Sequence, residues 1–240
     1  MTKLRSAALT DIGLVRTENE DHYILEPAAM IFGIADGIGG LPGGAEASLE
    51  TVQVIVREVL GSPSDKRPDL EAVVHAANRA VIRRAHEISP VMGIGSTLTF
   101  GCIYDHAMHF AHIGDSRAYL LRAGTLETIT EDHSVENEAR IRRARGEMVR
   151  YHASNRAALT RCIGQPTPPE VDLVTRPLIA GDRYLFCTDG VTRMINDREL
   201  GLMLSDPDDP AAIAQEIVMT AVQRGGPDNA TAVVVIVDEA

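Results

Sequence analysis

The chain is 240 residues long, enough for one large domain or two small ones with a substantial buried core. Apolar residues make up 45% and charged residues 24%, the balance of an ordinary folded soluble protein. A net charge of −11 argues against a general nucleic-acid binder, which needs surplus Lys and Arg for phosphate contacts, and against docking on anionic membrane.

Two strands are predicted first, over residues 23–26 and 30–35, joined around Pro27 as a hairpin. A helix pair follows over 42–60 and 69–89. In the second helix Leu70, Val73, Ala77, Val81, Ala85 and Ile88 keep the three-to-four spacing of a buried stripe. Strands over 96–104, 107–113, 118–122 and 126–130, joined at Asp105-His106, Gly114-Asp115 and Ala123-Gly124, predict an antiparallel meander. A strand over 183–188 precedes a second helix pair, 197–204 and 210–224. The last strand, 230–237, is apolar on both faces and is predicted to be central and buried. The stretches 61–68 and 205–210 read as surface turns. Antiparallel strands with helices in two blocks predict an α+β layered fold, helices outside and sheets inside.

No repeat of about 20–50 residues occurs, which excludes solenoids and propellers. Cys102, Cys162 and Cys187 are widely spaced and form no C-x-x-C, so a reducing cytoplasm is expected, with Cys102 and Cys187 as buried thiols. No apolar run reaches the roughly 18–20 residues of a membrane span, and no signal-peptide pattern opens the chain.

The chemistry lies in the acidic residues at strand ends. Asp36 closes the apolar run Ile31-Phe32-Gly33-Ile34-Ala35 and precedes Gly37. Asp189 closes Tyr184-Leu185-Phe186-Cys187-Thr188 and precedes Gly190. Asp115 follows Gly114, Asp228 precedes the last strand, and Glu20 and Asp21 precede the strand at Tyr23. One Asp-Gly pair is an ordinary turn. Carboxylates at five strand ends, if they share one cleft, repel and lose water unless cations compensate. Oxygen-only ligands point to hard ions such as Mg²⁺ or Mn²⁺. Glycine beside the aspartate allows close backbone approach, so that the Gly37 carbonyl can coordinate as well.

These residues fall in an order that resembles bacterial-type protein phosphatase 2C, a family of metal-dependent Ser/Thr phosphatases. The similar stretches are Thr10-Asp11-Ile12-Gly13 through Glu20-Asp21, Ile34-Ala35-Asp36-Gly37-Ile38-Gly39-Gly40 with Ala45-Glu46-Ala47-Ser48, and Gly95-Ser96-Thr97. Gly114-Asp115-Ser116-Arg117, Thr130-Glu131-Asp132-His133-Ser134 and Leu159-Thr160-Arg161-Cys162-Ile163-Gly164 follow. Thr188-Asp189-Gly190-Val191 and Pro227-Asp228-Asn229-Ala230-Thr231 complete the set. Each motif alone is weak; the ordered set is specific, and it covers nearly the whole chain.

The resemblance implies a four-layer α-β-β-α sandwich and a single catalytic domain over residues 1–240, with a flap segment at about 134–160. It implies two Mn²⁺ or Mg²⁺ ions bridged by Asp36. Asp189 and Asp228 hold one ion and the Gly37 carbonyl the other; Glu20 and Asp21 act largely through coordinated water, and Asp115 serves a third, weaker site. Arg16 matches the arginine that grips the substrate phosphate with its planar fork. A cation-activated water then attacks phosphorus without a phosphoenzyme. The expected partners are phosphoprotein substrates, a cognate Ser/Thr kinase and a forkhead-associated protein.

Two departures stand out. Ile38 occupies the position where some relatives place a histidine proposed as general acid; His133 is a remote substitute, and its Asp-His-Ser setting favours a structural role. The flap carries Arg140, Arg142, Arg143, Arg145 and Arg150. These read either as a basic surface for acidic or phosphorylated substrate or as a solvated helical face paired with Glu136, Glu138 and Glu147. The alternative functions are a non-catalytic phosphoprotein-binding regulatory module of the same fold and a different metal hydrolase.

Overall fold

The computed structural model describes residues 2–40, 42–63, 66–207 and 209–240. The turns expected over 61–68 and 205–210 include residues 64, 65 and 208, which lie outside the described residues.

The strands are β1 (Lys3–Asp11), β2 (Asp21–Glu26), β3 (Ile31–Asp36), β4 (Leu98–Tyr104), β5 (Ala107–Ile113), β6 (Arg117–Arg122), β7 (Thr125–Thr128), β8 (Asp172–Pro177), β9 (Arg183–Cys187) and β10 (Ala230–Glu239). The helices are α1 (Gly44–Leu60), α2 (Leu70–Ile88), α3 (Val135–Ala144), the single turn α4 (Asp189–Thr192), α5 (Asp197–Ser205) and α6 (Pro210–Gln223). Two five-stranded sheets form, in the orders β1-β10-β9-β6-β7 and β2-β3-β4-β5-β8, and their strand pairs are antiparallel.

The layering follows from which face of each strand is apolar. In β10, Val233, Val235 and Val237 face the other sheet, packing with Phe32, Phe110 and Phe186. The alternating Ala232, Val234 and Ile236 face α5 and α6, against Leu200, Ile213 and Ile217. A third cluster lies between α1, α2 and the second sheet, where Ile55, Val74 and Val81 meet Leu98 and Phe100. The order is helix, sheet, sheet, helix, as expected. β10 pairs on both sides and is buried from Ala230 to Val237, the central strand that its sequence predicts.

Helix ends follow local chemistry. Asp69 caps α2 by accepting from the Ala72 amide at 3.1 Å, and Asn196 and Glu199 form a reciprocal capping box on α5. Asp209 caps α6, with Pro210 in its first turn.

The predicted meander is corrected. β4 and β5 form a hairpin whose turn residues Asp105 and His106 have φ of 47° and 55°, and β6 and β7 form another. β5 and β6, however, belong to different sheets. Met108 and Phe110 of β5 and Ala118 and Leu120 of β6 bury in the same inter-sheet cluster, so these strands meet face to face instead of edge to edge. Gly114, with φ of 111°, makes the crossing.

Candidate active site

The crossing at Gly114 brings Asp115 beside the ends of other strands. Asp36 ends β3 and stands directly across from Asp21 at the start of β2. Asp189 opens α4 where β9 ends, and Asp228 lies two residues before β10. A cavity of about 170 Å³ opens at this edge, and Arg16, Asp36, Gly37, Asp115, Asp189 and Asp228 all line it. Of the expected site residues, Glu20 and Asp21 are not in its lining.

The small residues around Asp36 fix its backbone. The Asp36 amide donates to the Thr97 hydroxyl at 3.0 Å, while its carbonyl accepts from the Thr97 amide at 2.8 Å and the Ser96 hydroxyl at 2.9 Å. Thr97 in turn bonds Ser116, next to Asp115, at 2.9 Å. Gly37 sits so close to the start of α1 that a β-carbon there would strike the Gly44 carbonyl.

Asn229, 3% exposed, staples the loop that carries Arg16 and Glu20. Its side-chain oxygen accepts from the Glu20 amide at 2.8 Å, and its Nδ2 donates to the carbonyls of Ile12 at 2.9 Å and Glu18 at 3.0 Å. Arg16 then reaches Glu20 at 3.3 Å and the Asp228 carboxylate at 2.9 Å, with its guanidinium against the backbone of Gly39.

Asp21 is held from two directions. Its Oδ2 accepts from the hydroxyls of Thr188, at 2.9 Å, and Thr231, at 2.6 Å. These threonines neighbour Asp189 and Asp228 in the chain. The other oxygen, Oδ1, is buried with no hydrogen-bond partner among the described residues.

Crowding and burial push these carboxyls toward neutrality. For Asp36 burial is the main cause, with Asp21, Asp189, Asp115 and Asp228 adding repulsion, and its pKa stands well above the usual range. Burial raises Asp21 to about 7, against the pull of its two threonine donors. Burial and the charge of Asp189 raise Asp115 to about 7; burial raises Asp189 to about 6, opposed chiefly by Arg193. Burial also raises Glu20, opposed by Arg16.

The donors fit hard divalent cations. They are carboxylate and backbone oxygens, they lie at strand ends where Coulomb repulsion calls for positive charge, and the Asp21 Oδ1 is a buried acceptor without a donor among the described residues. Among the described residues no three Asp, Glu, His or Cys side chains close around one point. Two guanidinium groups, those of Arg16 and Arg193, stand among the acids.

One of these belongs to a residue that sequence reasoning missed. Arg193 lines the cavity, forms an ion pair with Asp189, and bonds Asp228 at 2.9 Å. The available signal was its spacing, four residues after Asp189 on a helical turn. The roles of Thr188, Thr231 and Asn229 were also missed, although they sit inside recognised motifs.

His133 and Ile38 account for the departures. The Nδ1 of His133 accepts from the Gly114 amide at 3.1 Å, which leaves the Nε2 proton facing Asp172 at 3.2 Å. The ring is thereby a buried prop for the Asp115 turn. Ile38 lines the cavity with an aliphatic chain packed on Gly95.

The flap hangs from this base. The Thr160 amide bonds the His133 carbonyl at 2.9 Å, α3 runs outward, and the returning chain brings Ala157 and Leu159 to the cavity wall. Arg142 pairs with Glu147 at 2.6 Å, Arg140 with Glu131 at 3.4 Å, and Arg143 stacks 5.2 Å from the Tyr151 ring centre. Among the described residues the side chains of Arg145, Arg150 and Arg156 make no ion pair. Of the acids expected to pair on this helical face only Glu147 does so, and among the described residues Glu136 and Glu138 make no ion pair with an arginine.

No helix among the described residues is long and apolar enough to cross a membrane. The protein phosphatase 2C family model matches residues 19–230. The serine/threonine protein phosphatase PstP of Mycobacterium tuberculosis is 34% identical over 236 residues, which are 96% of this chain and 44% of PstP, so the chain spans less than half the length of that relative. The crystal structure of the PstP catalytic domain in complex with two manganese ions superposes with a TM-score of 0.84 at 33% identity, covering 100% of both chains. PppA, a key regulatory component of T6SS in Pseudomonas aeruginosa, superposes with a TM-score of 0.84 at 32% identity over 98% of this chain and 97% of PppA.

Proposed function

The chain belongs to the protein phosphatase 2C family, and from that premise we propose that it is a metal-dependent phosphoprotein phosphatase acting on phosphoserine and phosphothreonine. The observation that carries this reading is the convergence of Asp36, Asp115, Asp189 and Asp228, from four separate chain segments, on one cavity beside Arg16. An acidic cavity repels a phosphate dianion; only with cations added does it become a phosphate site.

In the proposed arrangement Asp36, Asp189, Asp228 and the Gly37 carbonyl would hold two Mn²⁺ or Mg²⁺ ions, Glu20 and Asp21 would act through intervening water, and Asp115 would be available to a third, weaker ion. When bound, the ions supply Lewis-acid charge and an activated water for attack on phosphorus. Arg16 orients the phosphate by hydrogen-bonding its equatorial oxygens and neutralises charge that builds there. Asn229 holds the Arg16 loop in register with Asp228. Ile38 has no proton to give and His133 has both nitrogens engaged, so neither serves as the general acid, and the leaving oxygen takes its proton from a metal-bound water or another group.

The proposed unit is a single catalytic domain over residues 1–240, with the 134–160 segment as a flap beside the cleft. The proposed setting is signalling in a bacterial cytoplasm, opposite a cognate Ser/Thr kinase. The similarity to PppA, a regulatory component of T6SS, supports a secretion-system setting, and a forkhead-associated protein is the partner we propose there by analogy. Turnover of a phosphothreonine peptide and of p-nitrophenyl phosphate, each with Mn²⁺ and with EDTA, tests the reading. Metal-dependent turnover that favours the peptide is expected. No turnover of either by folded protein would replace it with a phosphoprotein-binding module.

A further inference from the structure

Arg193 spans two carboxylates that the proposed function assigns to the divalent ions. Its Nη2 pairs with Asp189, and its Nη1 donates to Asp228 Oδ2 at 2.9 Å. The backbone makes this reach short: α4 is one turn, and the Arg193 amide donates to the Asp189 carbonyl at 2.8 Å, which stacks the two side chains on one face. Burial of Asp189 leaves its carboxylate little water to lose to a competing partner. A guanidinium fork on two carboxylate groups takes up acceptor sites that a divalent ion also needs.

The other arginine in the cavity differs. Arg16 divides its fork between Asp228 and Glu20 and lies against Gly39, so it retains a partner whatever happens at Asp228. Among the described residues Arg193 has its ion pairs with the two aspartates alone, and its side chain is 43% exposed, free to swing outward.

We infer that Arg193 is a tethered competitor for divalent cations: its guanidinium occupies Asp189 and Asp228, must leave them for an ion to bind, and so sets the metal concentration at which the site loads. The inference rests on the two-ion reading above. It identifies a residue that tunes metal affinity, separate from the carboxylates that supply it. It also gives the acidic cluster a built-in counter-charge, which lowers the repulsion among its members.

The test is Mn²⁺ binding to the purified chain by isothermal titration calorimetry, for wild type, Arg193→Gln and Arg193→Lys, with melting temperatures measured in EDTA. Arg193→Gln is expected to tighten Mn²⁺ binding about tenfold while lowering the melting temperature in EDTA, because the competitor and the counter-charge are lost together. Arg193→Lys keeps one charge but cannot bridge two groups, and a smaller tightening is expected; it carries the test if the Gln variant does not fold. A merely structural Arg193 would lower the melting temperature and leave affinity equal or weaker, which would overturn the inference while wild-type binding kept the two-ion reading intact. A folded wild-type chain that binds no Mn²⁺ would overturn both.

Discussion

The Thr231 hydroxyl donates to Asp21 Oδ2 at 2.6 Å, and this bond ties an edge strand of one sheet to an inner strand of the other at the rim of the cleft. Thr10 sits opposite Thr231 on β1, 2.7 Å away by their hydroxyls, and the Asn19 amide continues the chain of bonds to Thr10 at 2.9 Å. A buried carboxylate with one bare oxygen depends on the donors it does have. Thr231→Val keeps the shape and removes the donor. A loss of about 1–3 kcal/mol in urea unfolding is expected, and unchanged stability would show that Asp21 is satisfied in another way.

Gly39 marks where Arg16 lies. A β-carbon added there would meet the Arg16 guanidinium, the mobile end of a long side chain, and no backbone atom is among its nearest contacts. Gly39→Ala is therefore expected to displace Arg16 at little cost in stability. Kinetics on a phosphothreonine peptide should show a several-fold rise in KM, with a melting temperature within a few degrees of wild type. Unchanged KM would separate Arg16 from phosphate binding.

Acid should destabilise the protein through His112. The ring is buried, its Nε2 bonded to the Glu131 carbonyl at 3.0 Å and its Nδ1 to the Thr99 hydroxyl at 2.8 Å, and burial lowers its pKa to about 3. The unfolded chain takes up that proton near pH 6.5. The contribution of neutral His112 is thus full above about 6.5 and is lost as pH falls toward 3. His133 is lowered in the same direction by burial, whereas the raised carboxyls of the cleft act oppositely. The difference between wild type and His112→Asn isolates the ring: the melting temperature of wild type should fall more steeply from pH 7 to 5. Parallel curves would contradict the assignment.

The unpaired arginines of the flap predict selectivity without stability. Replacing Arg145, Arg150 and Arg156 with Ser removes no ion pair among the described residues. The melting temperature should hold, while kcat/KM on a phosphopeptide with acidic flanking residues should drop more than on a neutral one. Equal effects on both peptides would leave these side chains as solvated surface.

Much of this was legible in the sequence because strand ends announce themselves. Asp36 and Asp189 each close an apolar run and meet glycine, and β10 declares a central position by being apolar on both faces. What failed was partner choice. Alternation along β5 and β6 states which side is apolar but not which strand lies alongside, so two facing strands read as one meander. β1 was missed because its residues are mostly half-buried, without clear alternation, and β8 because Pro168, Pro169 and Pro177 surround a short edge strand. Asp21 was visible as an acid, yet its threonine partners lie 167 and 210 residues away, a separation that no local pattern spans. Arg193 was the opposite case. Its partner Asp189 is local, but an arginine on a helical turn resembles any solvated charge until the cavity is seen.

Phosphate release from a phosphothreonine peptide in Mn²⁺ by wild type, Asp36→Asn and Asp189→Asn, with folding of each checked by circular dichroism, tests the cleft most directly. The substitutions keep size and remove charge where ions are proposed to bind. Metal-dependent release by wild type and a loss of at least about a hundredfold in both folded variants is the predicted result. Variants that turn over the peptide at the wild-type rate would contradict the assignment of the chemistry to this cleft.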